Sequence, residues 1–174
     1  MTSTSTMLTP VGPFTAVVDA DGVVLASGFT ADPGDLLPLI HPTLRPAGAP
    51  VAHADLGAVS KAVVGYLDGD LAALDRIEVR QYTGGGFQAT AWQVLRQVAP
   101  GHPVSYTAFA AMSGRPAAVR AAATACARNA AALFVPCHRV LRGDGSLGGY
   151  RWGVPVKRWL LEFEDSRECT DNET

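Results

Sequence analysis

The chain has 174 residues, 48% of them hydrophobic, with 14 Lys and Arg against 16 Asp and Glu for a formal net charge of −2. That much apolar material suffices for one domain or two small ones and excludes a disordered chain, while no apolar run reaches the roughly 18 residues of a membrane span. The near-neutral total conceals a partition: residues 1–86 balance to −5, residues 87–164 to +6 and residues 165–174 to −3, so a basic block suited to an anionic partner lies between two acidic ones.

Met1 to Pro10 is rich in Thr and Ser and has no Lys or Arg. It lacks the basic and apolar regions of a secretory signal, and the cytoplasm is the expected location. Pro13 to Phe29 reads as a hairpin, with Phe14–Val18 and Val23–Ala26 flanking the turn cluster Asp19-Ala20-Asp21-Gly22. Residues 30–55 read as a loop. Apolar residues at 56, 59, 63 and 67 form one helical face between Leu56 and Leu67, and Ile77 to Tyr82 reads as a short strand. Thr83-Gly84-Gly85-Gly86 is a hinge at which the charge balance changes sign, and a domain boundary is placed there.

Beyond the hinge the pattern turns helical. Phe87, Ala91, Leu95 and Val98 line one face of a helix that Pro100-Gly101 ends. Ser105 is a good N-cap for a second helix running to about Met112, with Val104 able to staple onto Phe109. Ser113-Gly114-Arg115 makes a tight turn, and Pro116 suits the first position of a third helix running to about Asn129. Two helices joined this way are a helix-turn-helix candidate. In the second of the pair, Val119, Ala122, Ala123 and Cys126 form an apolar stripe, and Arg120, Thr124 and Arg128 form the opposite one. Small residues with Arg allow close approach either to DNA or to a neighbouring helix. Ala132–Val135 reads as a short buried strand delivering Pro136-Cys137-His138-Arg139-Val140, followed by a Gly-rich loop around Asp144 and Tyr150. A last helix starts near Pro155, with Val156, Trp159, Leu160 and Phe163 inward and Lys157, Leu161 and Glu164 on another face.

The three cysteines, Cys126, Cys137 and Cys169, are odd in number and none lies at CxxC spacing, which argues against a disulfide framework. With His41, His53, His102 and His138 they assemble no four-ligand zinc set. Cys137 and His138, at the end of an apolar run, are the arrangement an activated thiolate needs. Neighbours on an extended chain point opposite ways, so His138 would act through a water and would need an orienting carboxylate. Only three acids occur between residues 87 and 164, and Glu164 lies on a helix face that can return to the thiol. The alternative is a buried Cys beside a surface His.

Pro136-Cys137-His138-Arg139-Val140 resembles the active-site motif of the O6-alkylguanine-DNA alkyltransferases, also termed methylated-DNA–protein-cysteine methyltransferases. The resemblance runs from Phe87-Gln88 through Ser105-Tyr106, Arg120, Asn129 and Gly148-Gly149-Tyr150 to Lys157, Leu160-Leu161 and Glu164. Arg142–Gly145 and Gly149–Gly153 look most like the C-terminal domain of the bacterial adaptive-response protein. The chain departs from many members at Ala123, where Gly is frequent, and at Ala130, where Pro is common.

The resemblance implies an α+β fold. A small N-terminal domain (1–86, antiparallel sheet and helix, structural in role) precedes a helical, catalytic, DNA-binding domain (87–165) with a winged-helix-like helix-turn-helix, and an acidic tail covers 166–174. It implies that Cys137 accepts the alkyl group, that His138 and Glu164 deprotonate it through a water, and that Asn129 organises the turn. Tyr106 would supply a proton or hydrogen bond to the departing guanine, with electrostatic support from Lys157. The carbonyls of Cys137 and Val140 would read the guanine amino group, Tyr150 would cover the base, and Gly148 and Arg151 would complete the substrate pocket. Arg120 would enter the duplex where the base has left, on a DNA-binding face shared with Ser105, Ala121, Thr124 and Arg128. Neither cofactor nor metal is implied. The partner is double-stranded DNA carrying O6-alkylguanine, approached from the minor groove by a monomer with no membrane association. Two other classes compete: a non-enzymatic alkyltransferase-like lesion binder, in which the acceptor Cys is replaced, and a transcriptional regulator using the helix-turn-helix alone.

Overall fold

A computed structural model describes residues 1–82 and 85–171. They group into two compact units, one of residues 1–82 with 130–134 and the other of the remaining described residues.

The first unit is built on a four-stranded sheet in the order β3-β2-β1-β4. Strands β2 (Gly12–Val18) and β3 (Val24–Gly28) are the expected hairpin, paired antiparallel with a register shift between Val17 and Val18. Asp19 shapes its turn: Oδ1 accepts from Asp21 N at 2.9 Å and Val23 N at 3.0 Å. Strand β1 (Ser3–Thr9) was not expected; it pairs antiparallel with β2 from Ser3–Val18 to Thr9–Gly12. Its hydroxyl-rich sequence reads as polar, but β-branched Thr suits a strand, and the buried hydroxyls are satisfied: Thr4 Oγ1 donates to Ala16 O at 2.9 Å and Ser5 Oγ to Ala54 O at 3.1 Å. Short β4 (Val51–Ala52) adds in parallel to β1.

Helix α1 (Ala58–Leu67) buries Val59, Ala62, Val63 and Tyr66. The strand expected at Ile77–Tyr82 reduces to a single parallel bridge between Val79 and Val24. The strand expected at Ala132–Val135 is likewise absent: Ala131 bridges Ser27, and Leu133 then adopts φ 75°, a left-handed conformation that ends any extended run.

In the second unit, α2 (Phe87–Leu95) starts from Gly86, whose φ of 79° suits glycine. Of the expected hinge, Thr83 and Gly84 lie outside the described residues. Trp92 Nε1 donates to Ala125 O at 2.8 Å, tying α2 to α4. Ser105 caps α3 (Tyr106–Met112) as expected, its Oγ accepting from Ala108 N at 3.0 Å. Helix α4 spans Val119–Ala127, shorter than expected at both ends. Pro116 lies in the turn before it, where Arg115 O accepts from Ala118 N at 2.9 Å, rather than at the first helical position. The buried residues of α4 are Ala122 and Ala125; Ala123 is exposed, so the inward stripe is rotated from the expected one.

Helix α5 spans Val154–Asp171 and takes in part of the expected acidic tail. Its inward face also differs from expectation. Lys157, Leu160 and Glu164 are buried, whereas Trp159 and Phe163 are half-buried and stack on each other at 4.9 Å. Two strands, β5 (Val104–Ser105) and β6 (Val140–Leu141), pair in parallel and set the start of α3 beside the turn that follows Cys137. Among the described residues no helix is long and apolar enough to cross a membrane.

Candidate active site

Cys137 opens a 3₁₀ turn, Cys137–Arg139, entered from Pro136 and left through Val140. The backbone is pinned at both ends: Cys137 N donates to Val135 O at 2.8 Å and Arg139 N to Pro136 O at 3.0 Å. Asn129, itself buried, donates from Nδ2 to Val135 O at 2.7 Å and also hydrogen-bonds the Cys137 sulfur. One amide thus closes the loop 129–135 and orients the thiol. Cys137 is half-buried. Burial pushes its thiol up; the Asn129 hydrogen bond and the nearby Lys157 and Arg151 pull it down without prevailing, so the resting group is the thiol.

His138 and Glu164 are both fully buried, and His138 Nε2 lies 2.8 Å from Glu164 Oε1. Burial opposes ionisation of Glu164, yet His138 and Arg139 together hold it well below the usual carboxylate range. An ionised carboxylate only accepts, so Nε2 carries the ring proton and Nδ1 an unshared pair. Nδ1 is buried and has no hydrogen-bond partner among the described residues. Burial also lowers His138, against the pull of Glu164 and with help from Arg139 and Lys157, which keeps the ring neutral. A buried, unpartnered imidazole nitrogen on the residue that follows a protonated thiol in the same turn is suited to taking a proton through one water.

Lys157 is buried, with Nζ donating to Val140 O at 2.8 Å and to Gly149 O at 3.3 Å. Burial lowers it and the Cys137 and Cys126 sulfurs raise it, so its ammonium faces the thiols. Tyr106, first residue of α3, is pushed up to about 12 by burial and then by Cys126 and Cys137, and so stays a phenol able to donate. Gly148 lies against it; a Cβ there would sit 3.6 Å from the Tyr106 oxygen, and its φ of 72° favours glycine. The Tyr150 hydroxyl is buried without a partner among the described residues, with Cys137 and Glu164 near enough to help burial raise it.

The structure therefore gathers Cys137, His138, Glu164, Asn129, Lys157, Val140, Tyr106, Gly148 and Tyr150. Both carbonyls expected to read guanine already accept one hydrogen bond, Val140 O from Lys157 and Cys137 O from Val140 N, leaving each a second lone pair. Arg120, Ala121, Thr124 and Arg128 are set apart on the exposed face of α4, where the Thr124 hydroxyl bonds Arg120 O at 3.0 Å. The Ser105 hydroxyl is occupied as the α3 cap. Arg151 is exposed and donates to Ala127 O at 2.5 Å, at the end of α4.

Two residues were not assigned a place in the site from sequence. Arg139 pairs with Glu164, its Nη2 2.9 Å from Oε1. The signal was available, since an Arg in an apolar run has to meet an acid, and few acids lie nearby. Cys126 lies close enough to Tyr106, Lys157 and Cys137 to influence or feel their charge, and burial pushes its own thiol far up, as suits an inert packed group.

The family model for the 6-O-methylguanine DNA methyltransferase DNA-binding domain matches residues 86–166. The Escherichia coli bifunctional transcriptional activator/DNA repair enzyme Ada is 53% identical over 85 residues, 49% of this chain and 24% of its own length, so this match spans about a quarter of that protein. A methylated-DNA–protein-cysteine methyltransferase of Salmonella typhimurium is 36% identical over 158 residues, covering 90% of this chain and 91% of its own. Among solved structures, Mycobacterium tuberculosis OGT in complex with DNA aligns over 95% of this chain and 94% of its own, with a TM-score of 0.77 at 27% identity.

Proposed function

The chain belongs to the methylated-DNA–protein-cysteine methyltransferases, and we propose that it repairs DNA by direct reversal, moving an alkyl group from guanine O6 in a duplex to Sγ of Cys137. The observation that carries this reading is the buried His138–Glu164 pair in the turn that Cys137 opens, with Nδ1 of His138 unpartnered among the described residues.

The thiol proton passes through a water to Nδ1, and Glu164 stabilises the imidazolium that forms. Sγ attacks the saturated alkyl carbon as the bond from that carbon to O6 breaks. The departing guanine anion takes a proton from the Tyr106 hydroxyl, which the lost thiol proton ultimately replaces. Lys157 offsets negative charge on sulfur and then on the leaving base. The unpartnered Tyr150 hydroxyl and the second lone pairs of the Cys137 and Val140 carbonyls offer polar contacts to the base.

The thioether has no easy hydrolytic route, so each molecule reacts once. The alkyl carbon lies inside the helical stack, and the nucleotide must be flipped out at a cost of a few kcal/mol. Helix α4, with Arg120 among small exposed side chains including Ala121, Ala123 and Ala127, suits the minor groove, where Arg120 fills the vacated space. All the groups named belong to one chain, in keeping with a monomer. A nucleophilic thiol needs a reducing compartment, in keeping with the cytoplasm.

The reading is tested by incubating the protein with a duplex containing one O6-methylguanine. Intact-mass and peptide analysis should show one added methyl, on Cys137, and a plateau at one equivalent. DNA binding with no adduct would overturn it in favour of a non-enzymatic lesion binder.

A further inference from the structure

The Glu164 carboxylate is shared. His138 Nε2 meets Oε1 at 2.8 Å, while Arg139 reaches both oxygens: Nε lies 3.2 Å from Oε1 and 3.0 Å from Oε2, and Nη2 lies 2.9 Å from Oε1. The guanidinium is held from its far side by Val98, whose carbonyl accepts from Nη1 at 2.8 Å. Arg139 is 4% exposed. It is a rigid fork clamped between a backbone oxygen and the carboxylate that orients the histidine.

A buried carboxylate whose sole charged neighbour is an imidazole draws a second proton onto the ring, making an ion pair. Such an imidazolium has protons on both nitrogens and accepts none. A permanently charged guanidinium changes the balance, because it already neutralises the carboxylate. A second proton on His138 would then leave an excess positive charge in a dry cluster. The charged groups that act on the ring are Glu164 and Lys157 from α5 and Arg139 from its own turn; Tyr150, from the loop before α5, lies near Glu164, and Cys137 opens the turn. Lys157, the other cation among them, opposes a ring proton as well.

We infer that Arg139 is a positioning residue that keeps His138 neutral and protonated on Nε2, by neutralising Glu164 and fixing the edge that its carboxylate presents to the ring. The inference rests on the reading of His138 as the base. Its consequence is a base that stays available at and below neutral pH. Any proton that His138 accepts comes from the thiol, during attack.

The test follows ¹⁵N shifts of His138 in labelled wild-type protein between about pH 5 and 8, together with the pH–rate profile of methyl transfer from free O6-methylguanine base. The wild type should show a neutral, Nε2-protonated ring throughout. In Arg139→Met the ring should take up its second proton at a higher pH than in the wild type, and the acid limb should move up by about one pH unit, a roughly tenfold slower transfer on that limb. Arg139→Lys, which keeps the charge, should leave the limb in place even where the plateau rate drops. A cationic ring in the wild type overturns the inference, and so does an Arg139→Met profile lowered in height but unmoved in pH. If Arg139→Met fails to fold, the wild-type shifts and the Arg139→Lys profile decide. His138→Gln separates the two levels: unchanged transfer defeats the base role itself, whereas slow transfer with an unmoved Arg139→Met profile defeats the part assigned to Arg139 alone.

Discussion

Cys137 is stored as a thiol beside the groups that can ionise it. Since the thiolate is the reactive form toward oxidants and stray electrophiles, a resting thiol would spare Cys137 for the single transfer proposed for it. The arrangement makes the protein sensitive to acid through His138. The buried ring is lowered in the folded state, whereas the unfolded chain binds a proton near pH 6.5, so as pH falls below that value the unfolded state takes up a proton the native state resists. Glu164 acts in the same direction over a lower window: its folded value is depressed, so its stabilisation is present above the ordinary value of 4.5 and is lost as pH falls through the range below it. Melting temperature measured by circular dichroism should therefore fall steadily from pH 7 to pH 5, by up to about 1.4 kcal/mol of stability per pH unit or roughly 3–6 °C. His138→Gln, which keeps a donor for Glu164, should flatten that slope. A wild-type melting temperature that is level over this window would show that His138 is free to take a proton in the fold. The other three histidines are exposed.

At the level of elements, the proposed function divides the work between α4, which would face DNA, and α5, which would serve the chemistry. The outward face of α4 holds Arg120, Ala121, Ala123, Thr124, Ala127 and Arg128, a shallow surface with a long cationic side chain near its start. If Arg120 fills the space of a flipped nucleotide, Arg120→Ala should slow methyl transfer from duplex about tenfold or more, corresponding to the loss of roughly 1.4 kcal/mol against the unstacking cost. Transfer from the free base should change less than about twofold, because no flipping is involved; single-turnover rates on the two substrates check this, and equal slowing on both removes the inserted-arginine role. The contrast with α5 shows what was legible in the sequence. The adjacency of Cys137 and His138 lies in the sequence itself, and the meeting of Glu164 with His138 could be read from a scarcity of acids. The inward face of α5 could not. Hydrophobic spacing selects Val156, Trp159 and Phe163, but the helix buries Lys157 and Glu164, because the site itself supplies their partners in the Val140 and Gly149 carbonyls, His138 and Arg139. Local patterning fails where function overrides it. Strand β1 and the run at 130–134 were misread for a simpler reason. Whether a Thr-rich stretch pairs, or an apolar stretch turns at Leu133, depends on distant backbone partners such as Ala16 and Ser27.

On the scale of the whole molecule, the partition of charge sets how the protein holds DNA. The basic block at residues 87–164 contains nine Lys and Arg residues. Two of them, Arg139 and Lys157, are buried and committed to Glu164, Val98, Val140 and Gly149, so they carry no phosphate. Of those left, Arg120, Arg128 and Arg151 lie on or beside α4, Arg151 through its bond to Ala127 O. On an undamaged duplex, where Arg120 has no vacated space to fill, three phosphate contacts would release about three counterions, giving a slope of log K against log salt concentration of roughly −3, shallow for a DNA-binding protein. Fluorescence anisotropy with an undamaged duplex between about 50 and 200 mM salt should show affinity falling by about two orders of magnitude or less. Arg128→Ala should reduce the slope by about one, with a uniform loss across sequences, as expected for a contact to the backbone rather than to a base. A slope steeper than about −6 would require contacts well beyond this face and would overturn the assignment of α4 as the main DNA surface. A shallow slope also suits the chemistry, since a protein consumed on finding its target gains from brief, weakly held encounters with the undamaged duplex that makes up nearly everything it meets.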